Sequence, residues 1–242
     1  SQIRTPNGRL IGTAIVLRDV TALKAIERMK ARFMAGVTHE LKTPLAVIKM
    51  HIKNLAHYYK RLSSNRREKL LSSAQKQVDL LEELIENILE LSRLDAGEAQ
   101  LEMSKLNLVP LVEQIITEMN TLATSKDVTL QWQKSAAPKS ALVRADDKQM
   151  ACVVRNLVDN AIKYTPEGGN IKVTIISENE GNKPWVGVRV EDTGIGIPPE
   201  AQARIFERFY RVDPSHTVPG TGLGLSIVKE IVIAHGGTIN VE

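Results

Sequence analysis

Between Ala22 and Leu62, apolar residues fall at Ile26, Phe33, Val37, Leu41, Pro44, Ile48, Ile52, Leu55, Tyr59 and Leu62, mostly in steps of three and four, and Gly36 is the only glycine in the span. That spacing lays one apolar stripe along a helix. A second run, from about Arg66 to Leu94, sets Leu71, Ala74, Val78, Leu81, Ile85, Ile88 and Ser92 on the same steps. Only Ser63-Ser64-Asn65 separates the two runs, a connection short enough to make them antiparallel neighbours. Two facing stripes give a thin core for a hairpin ~60 Å long at ~1.5 Å per residue. The apolar edge left over predicts pairing with a second copy, a homodimer through residues 21–97.

Asp95-Ala96-Gly97-Glu98 breaks the periodicity and marks a boundary. Beyond it strand and helix signals alternate. The pattern predicts a helix over 110–123, strands over 128–133 and 141–145, and a helix over 147–164 with Asp146 as N-cap and Gln149 completing a capping box. Paired strands over 171–177 and 185–191 follow, joined through the polar stretch 179–183, and a last helix over 223–235 stops at Gly236-Gly237. Residues 195–220 show little regularity; a loop that long is usually functional, which makes it a lid candidate. At the other end Asn7-Gly8 precedes the β-prone run 10–17, a hairpin only marginally stable alone and so read as the tail of a domain continuing upstream. The fold class expected is a helical hairpin forming a dimeric four-helix bundle, then an α/β sandwich, in segments 1–20, 21–97 and 98–242.

Composition narrows the function. Across 242 residues, 43% hydrophobic and 25% charged residues exclude disorder as the main state, and no run approaches the ~18 apolar residues of a membrane span. A net charge of +4 leaves no global footprint for nucleic acid. The lone Cys152 excludes an intramolecular disulfide and a multi-cysteine metal site. Charge is unevenly placed, however. Lys42, Lys49, Lys53, Lys60, Arg61, Arg66, Arg67, Lys69 and Lys76 face the single acid Glu68, whereas Asp79, Glu82, Glu83, Glu86 and Glu90 follow with no base among them. The basic patch suits either a solvated face or a dock for an acidic partner.

His39 lies two residues from Val37 and two from Leu41, which at 100° per residue turns it ~160–200° from the seam, towards solvent. Glu40 follows it, and Pro44 sits inside the helical pattern, where it removes a backbone hydrogen bond and commonly kinks the helix. An imidazole is nucleophilic when neutral, and an adjacent carboxylate can hold the proton on its other nitrogen. The same features fit an ordinary surface histidine. The whole string Thr38-His39-Glu40-Leu41-Lys42-Thr43-Pro44-Leu45 closely resembles the phosphoacceptor box of sensor histidine kinases of two-component systems. The resemblance implies that His39 accepts the γ-phosphoryl group of ATP, that Glu40 acts as its base, and that Thr43 orients water when the partner is dephosphorylated. Lys42 replaces the family's more usual arginine, keeping the charge but losing the bidentate fork.

Asn156, Asn160 and Lys163, at steps of four and three, share a face beside the stripe of Val153, Val154, Leu157, Val158, Ala161 and Ile162. An asparagine oxygen can ligate Mg2+, although helical asparagines often simply face water. The segment from Asn156 to Thr165 resembles the kinase N box, which implies Asn160 as the Mg2+ ligand and Asn156, Lys163 and Tyr164 at the nucleotide. Asp192-Thr193-Gly194-Ile195-Gly196 follows a strand, and Gly220-Thr221-Gly222-Leu223-Gly224-Leu225 opens a helix, where amide donors suit a phosphate. Each alone fits a plain turn. In this order, with Phe206-Glu207-Arg208-Phe209-Tyr210 between them, they resemble the G1, F and G2 boxes. By that resemblance Asp192 reads the adenine amino group, Gly194, Gly196, Gly220, Gly222, Gly224 and Leu225 line the site, and residues from about 197 to 219 form the ATP lid. No GxxxxGK[ST] string supports a Walker loop. Related ATPases such as DNA gyrase carry a water-activating glutamate where Asn156 stands; general-base help is worth ~10²–10⁴-fold, and asparagine cannot supply it.

The resemblance therefore implies an ATP- and Mg2+-dependent autokinase at His39 that passes its phosphoryl group to an aspartate of a response-regulator receiver, with phosphatase activity towards that partner in addition. A gyrase-like ATPase with a dimer clamp is the alternative. No nucleic-acid partner is expected, and a cytoplasmic location is, with membrane attachment only through an upstream segment. Residues 1–20, running into Arg18-Asp19-Val20-Thr21, resemble the last strands of a PAS domain, and family members usually continue for a strand or two past Val241-Glu242. His51, His57 and His216 are assigned surface roles, His235 a place at a helix C-terminus favoured by the dipole, Cys152 a buried structural role, and Trp132 and Trp185 packing roles.

Overall fold

A computed structural model describes residues 2–4, 6–8, 10–13, 19–95, 101–133, 141–180, 183–212 and 220–242. Residues 96–98 of the expected boundary, part of the lid and His216 lie outside these. The chain divides into two compact units, residues 1–40 and residues 41–242.

In the first unit β1 (Gln2–Arg4) pairs antiparallel with β2 (Leu10–Thr13), Gln2 opposite Thr13, across a turn in which Gly8 has φ +80°. Asp19 Oδ1 accepts from the Thr21 N–H at 2.9 Å where α1 (Thr21–Tyr58) begins.

α1 continues unbroken through Pro44, which is buried. The proline removes one ladder donor, but its fixed φ is itself helical, so the interruption expected there does not end the helix. A 3-10 turn, Tyr59–Arg61, leads to α2 (Ser64–Asp95), so Ser64 and Asn65 open the helix rather than forming the connection. Ser63 holds that start, its hydroxyl accepting from Arg66 N at 3.3 Å and its carbonyl from Arg67 N at 3.0 Å. His51 Nε2 meets Ser73 Oγ at 3.0 Å and ties α1 to α2 as antiparallel neighbours, an inter-helix role in place of the surface one expected for His51. The stripe that α2 buries is also rotated from the expected one. Leu70, Leu84 and Leu91 are buried, whereas Leu71 and Ile85 are 58% and 49% exposed. The two sets differ by one residue, or 100° of helix; α2 carries apolar residues on both, and step counting cannot say which meets the chain's own partner.

In the α/β part, β3 (Ser104–Asn107) pairs antiparallel with β5 (Leu142–Ala145). β3 went unpredicted because Ser-Lys-Leu-Asn is short and carries no hydrophobic alternation. Asn107 Oδ1 accepts from Val109 N at 3.2 Å and caps α3 (Leu108–Ser125). A second sheet has the order β4-β6-β7: β4 (Thr129–Trp132) lies parallel to β6 (Asn170–Glu180), which pairs antiparallel with β7 (Lys183–Asp192). Val112 and Ile115 of α3, Val154, Val158 and Ile162 of α4 (Asp147–Tyr164), and Ile171, Val173 and Ile175 of β6 form the core. Trp132 packs against it, but Trp185 is 37% exposed on β7 and is not a core residue. The stretch expected to be irregular contains a short helix, α5 (Pro199–Gln202), and is followed by α6 (Gly224–Ala234). Among the described residues, no helix is long and apolar enough to cross a membrane.

Asp146 caps α4 by accepting from Gln149 N at 3.1 Å, and its other oxygen accepts from Glu102 N at 2.9 Å. The reciprocal half of the box is absent. Gln149 Nε2 instead donates to Glu90 Oε1 of α2 at 2.7 Å, and the Asp146 N–H donates to His235 Nε2 at 3.0 Å. His235 Nδ1 in turn lies 2.8 Å from the Ile231 carbonyl. His235 thus ties the start of α4 to the end of α6 through both ring nitrogens.

Candidate functional site

α4 is the spine of the site. Its amphipathic pattern buries Val154, Val158, Ala161 and Ile162 and leaves Asn156, Asn160, Lys163 and Tyr164 half-exposed. Asn156 Nδ2 donates to the Cys152 carbonyl at 2.9 Å and lies 3.4 Å from its Sγ, which leaves Oδ1 directed at the first turn of α6. There Gly224 comes so near that a methyl group on it would sit 2.7 Å from Asn156 Oδ1 and 3.9 Å from Asn160 Nδ2. Cys152 is half-buried; burial, and after it the Glu90 carboxylate, pushes its thiol up, against the Asn156 hydrogen bond. Lys163 Nζ pairs with Asp159 Oδ2 at 2.7 Å, a partner one turn back that sequence reasoning did not single out.

Two glycine loops meet this spine at different heights. At its C-terminal end, Ile195 N donates to the Tyr164 carbonyl at 3.2 Å, and Asp192 Oδ1 accepts from Gly194 N at 2.9 Å. A methyl group on Gly194 would lie 2.6 Å from both Asp192 Oδ1 and Tyr164 O, so the close approach of loop to helix requires glycine. Gly196 follows with φ +70° and open space around it. Half-way along the spine, the Gly220–Leu225 segment brings Gly224 against Asn156, with Leu225 half-exposed beside it. Gly222 has φ +68°, and its carbonyl accepts from Phe209 N at 2.9 Å; Phe209 is itself at φ +62°. Arg211 Nη1 donates to the Gly220 carbonyl at 2.8 Å, and the Arg204 guanidinium stacks over Tyr210 at 4.2 Å. The Phe206–Tyr210 segment thus braces the second glycine loop, a packing role that spacing alone does not reveal.

Asn160 Nδ2 is buried and has no hydrogen-bond partner among the described residues. Amide oxygen and nitrogen are interchangeable assignments, so this side chain can turn either a carbonyl oxygen to a cation or an N–H to an anion. With a glycine cradle beside it and Lys163 one turn on, the donor set fits Mg2+ shared with phosphate oxygens, since Mg2+ takes few protein ligands.

His39 and Glu40 belong to the unit of residues 1–40, and Thr43 to that of residues 41–242; all three lie on α1. The His39 side chain is 70% exposed, Glu40 20%, and His39 Nδ1 lies 3.3 Å from Glu40 Oε1. Thr38 Oγ1 donates to the Met34 carbonyl at 2.9 Å, and Thr43 is exposed. The arrangement presents one imidazole edge to its carboxylate neighbour and the other away from it.

Residues 29–97 match the family described as the His Kinase A (phospho-acceptor) domain, and residues 145–242 match the histidine kinase-, DNA gyrase B-, and HSP90-like ATPases. Drug sensory protein A of Synechocystis sp. is 36% identical over 96% of the chain, and sensor histidine kinase WalK of Bacillus subtilis 31% over 99%. The chain spans 35% and 38% of those relatives' own lengths. Among solved structures, full-length ShkA in complex with AMPPNP superposes with a TM-score of 0.59 at 28% identity, covering 87% of this chain and 41% of that one.

Proposed function

Because the chain belongs to the sensor histidine kinases, we propose that it phosphorylates itself on His39 with ATP and then passes the phosphoryl group to an aspartate of a response-regulator receiver. The observation that carries this reading is His39 itself: an exposed imidazole whose Nδ1 faces Glu40 at 3.3 Å. A proton held on Nδ1 by the carboxylate puts the lone pair on Nε2. Nε2 forms the new N–P bond as the bond from the γ-phosphorus to its bridging oxygen breaks, and the electron pair leaves on ADP. Glu40 steadies the positive charge that the ring gains.

On the nucleotide side, Asp192 accepts from the adenine amino group, and Lys163 and the Gly220–Leu225 amides receive the phosphates. AMPPNP in the related ShkA supports an adenine nucleotide here. Asn160 would hold Mg2+, which neutralises phosphate charge when bound. Asn156 has no group that can take a proton from water, which supports transfer to a protein nucleophile over hydrolysis. When the partner is instead dephosphorylated, Thr43 orients the water that attacks the receiver's aspartyl phosphate, breaking the P–O bond to the carboxylate and releasing inorganic phosphate. We read residues 21–97 as the dimerising phosphotransfer segment, residues 98–242 as the ATP-binding segment and residues 1–20 as the end of a sensory domain.

The test is incubation with γ-labelled ATP. Acid-labile, base-stable label should appear on His39 and vanish in His39→Gln; label persisting in that variant would overturn the assignment.

A further inference from the structure

The last carbonyls of any α-helix lack intrahelical partners, and beyond the final rung of α4, at Ala161 O, the carbonyls of Ile162, Lys163 and Tyr164 each take a partner from elsewhere in the chain. Ala161 O accepts from Thr165 N at 3.0 Å, and Tyr164 O accepts from Ile195 N at 3.2 Å. The two between them, Ile162 O and Lys163 O, both accept from the ammonium of Lys126, at 2.7 and 2.6 Å. α4 ends in extended backbone at Thr165 rather than in a left-handed glycine, so the usual local closure is missing. A lysine 36 positions upstream takes its place.

Lys126 is itself firmly held. Its N–H bonds back to Ala123 O at 3.1 Å, the next residue, Asp127, has φ +55°, and the Asp127 carbonyl accepts from Gly168 N at 2.7 Å. The turn after α3 is therefore clamped to the turn after α4, and the ammonium sits on the negative end of the helix dipole.

We infer that Lys126 is a positioning residue for the nucleotide site: its ammonium fixes the last turn of α4, and with it Lys163, Tyr164 and the Asp192–Gly196 loop that hangs from the Tyr164 carbonyl. The inference rests on the reading of that site as an ATP site. Without the ammonium, Ile162 O and Lys163 O turn to water, the last turn frays, and the Ile195 anchor moves with it. Adenine and phosphate contacts then loosen together, while His39 is untouched.

The experiment compares wild type, Lys126→Met and Lys126→Arg by titration with a fluorescent ATP analogue and by autophosphorylation rate against ATP concentration. Lys126→Met should weaken analogue binding and raise KM for ATP about tenfold, the scale of one lost charge-assisted contact. The rate at saturating ATP should stay within about twofold, and Lys126→Arg should recover most of the affinity. A merely destabilised protein behaves differently, because a smaller folded fraction lowers the maximal rate and leaves KM alone. An unchanged KM and analogue affinity in Lys126→Met, whatever its maximal rate, would overturn the inference. Failure of wild type to bind the analogue would instead overturn the ATP reading beneath it.

Discussion

Asn156 Oδ1 stands where a methyl group on Gly224 would come within 2.7 Å of it. Two helices distant in sequence, α4 and α6, thus approach backbone to side chain across the middle of the proposed nucleotide site, and only hydrogen fits between them. Alanine suits an α-helix better than glycine by ~1 kcal/mol, so the substitution should not harm α6 by itself.

Gly224→Ala should therefore separate binding from folding. The methyl group must push Asn156 aside, breaking its donation to Cys152 O, or lift the first turn of α6 off α4. Fluorescent ATP analogue affinity should fall at least about tenfold, equivalent to ~1.4 kcal/mol, with a thermal midpoint close to wild type. Unchanged affinity would mean that the glycine cradle is not where the nucleotide binds.

Asp146 predicts an acid-dependent stability. Burial raises its carboxyl, but the backbone N–H groups of Gln149 and Glu102 outweigh burial and leave it below the ordinary carboxylate range. A group with a lowered folded pKa stabilises the fold fully above its unfolded value, ~3.9, and loses that contribution as pH falls through the folded value. Asp146→Ala should cost about 1 kcal/mol near pH 7, within the ~0.5–2 kcal/mol range for an N-cap. The gap to wild type should narrow below about pH 4. Urea unfolding at a series of pH values measures both; a gap constant down to pH 2 would contradict the assignment.

The limits of α4, Asp147–Tyr164, were readable in full because a 3.6-residue stripe and a capping aspartate point to the same start. The glycine and asparagine groups were equally readable, since they cluster in short strings. Less legible was whatever depends on partners far along the chain. Gln149 has the right spacing for a capping box, yet its amide goes to Glu90, and His235 takes the N–H that the box would have served. Lys126 has no local signal at all, since a lysine in a turn looks solvated until the fold carries α4 to it. The phase of α2 failed for a related reason: residues 70, 84 and 91 and residues 71 and 85 are all apolar, and the period does not rank them.

That doubled apolar face of α2 predicts the dimer. Leu71, Ile85 and Leu89 are 58%, 49% and 51% exposed on one side of α2, and burying a leucine or isoleucine contributes ~1.5–3 kcal/mol. In a two-fold assembly each residue counts twice. Ile85→Glu should then weaken dimerisation by about 10²- to 10⁴-fold, read as a shift to monomer in light scattering, while Leu89→Ala should give a smaller shift. A dimer unaltered by Ile85→Glu would move the interface elsewhere.

The basic stretch beyond His39 predicts a dock for the receiver proposed as its partner. Lys49 and Lys53 are exposed and one helical turn apart on α1, close enough to act on one acidic surface. Exposed charges act mainly on encounter rate and are screened over ~8–10 Å at physiological salt. Lys49→Glu with Lys53→Glu should slow transfer from labelled His39 to a receiver that wild type phosphorylates by about tenfold, and the defect should shrink as salt is raised. Autophosphorylation should stay at the wild-type rate, because the proposed nucleotide site is built from α4, α6 and their loops and takes nothing from these two lysines. Single-turnover transfer and autophosphorylation, measured on the same preparation at low and high salt, separate the two steps. Equal slowing of both would mean that these lysines serve the helix or the nucleotide rather than the receiver, and a salt-independent defect would rule out an electrostatic dock.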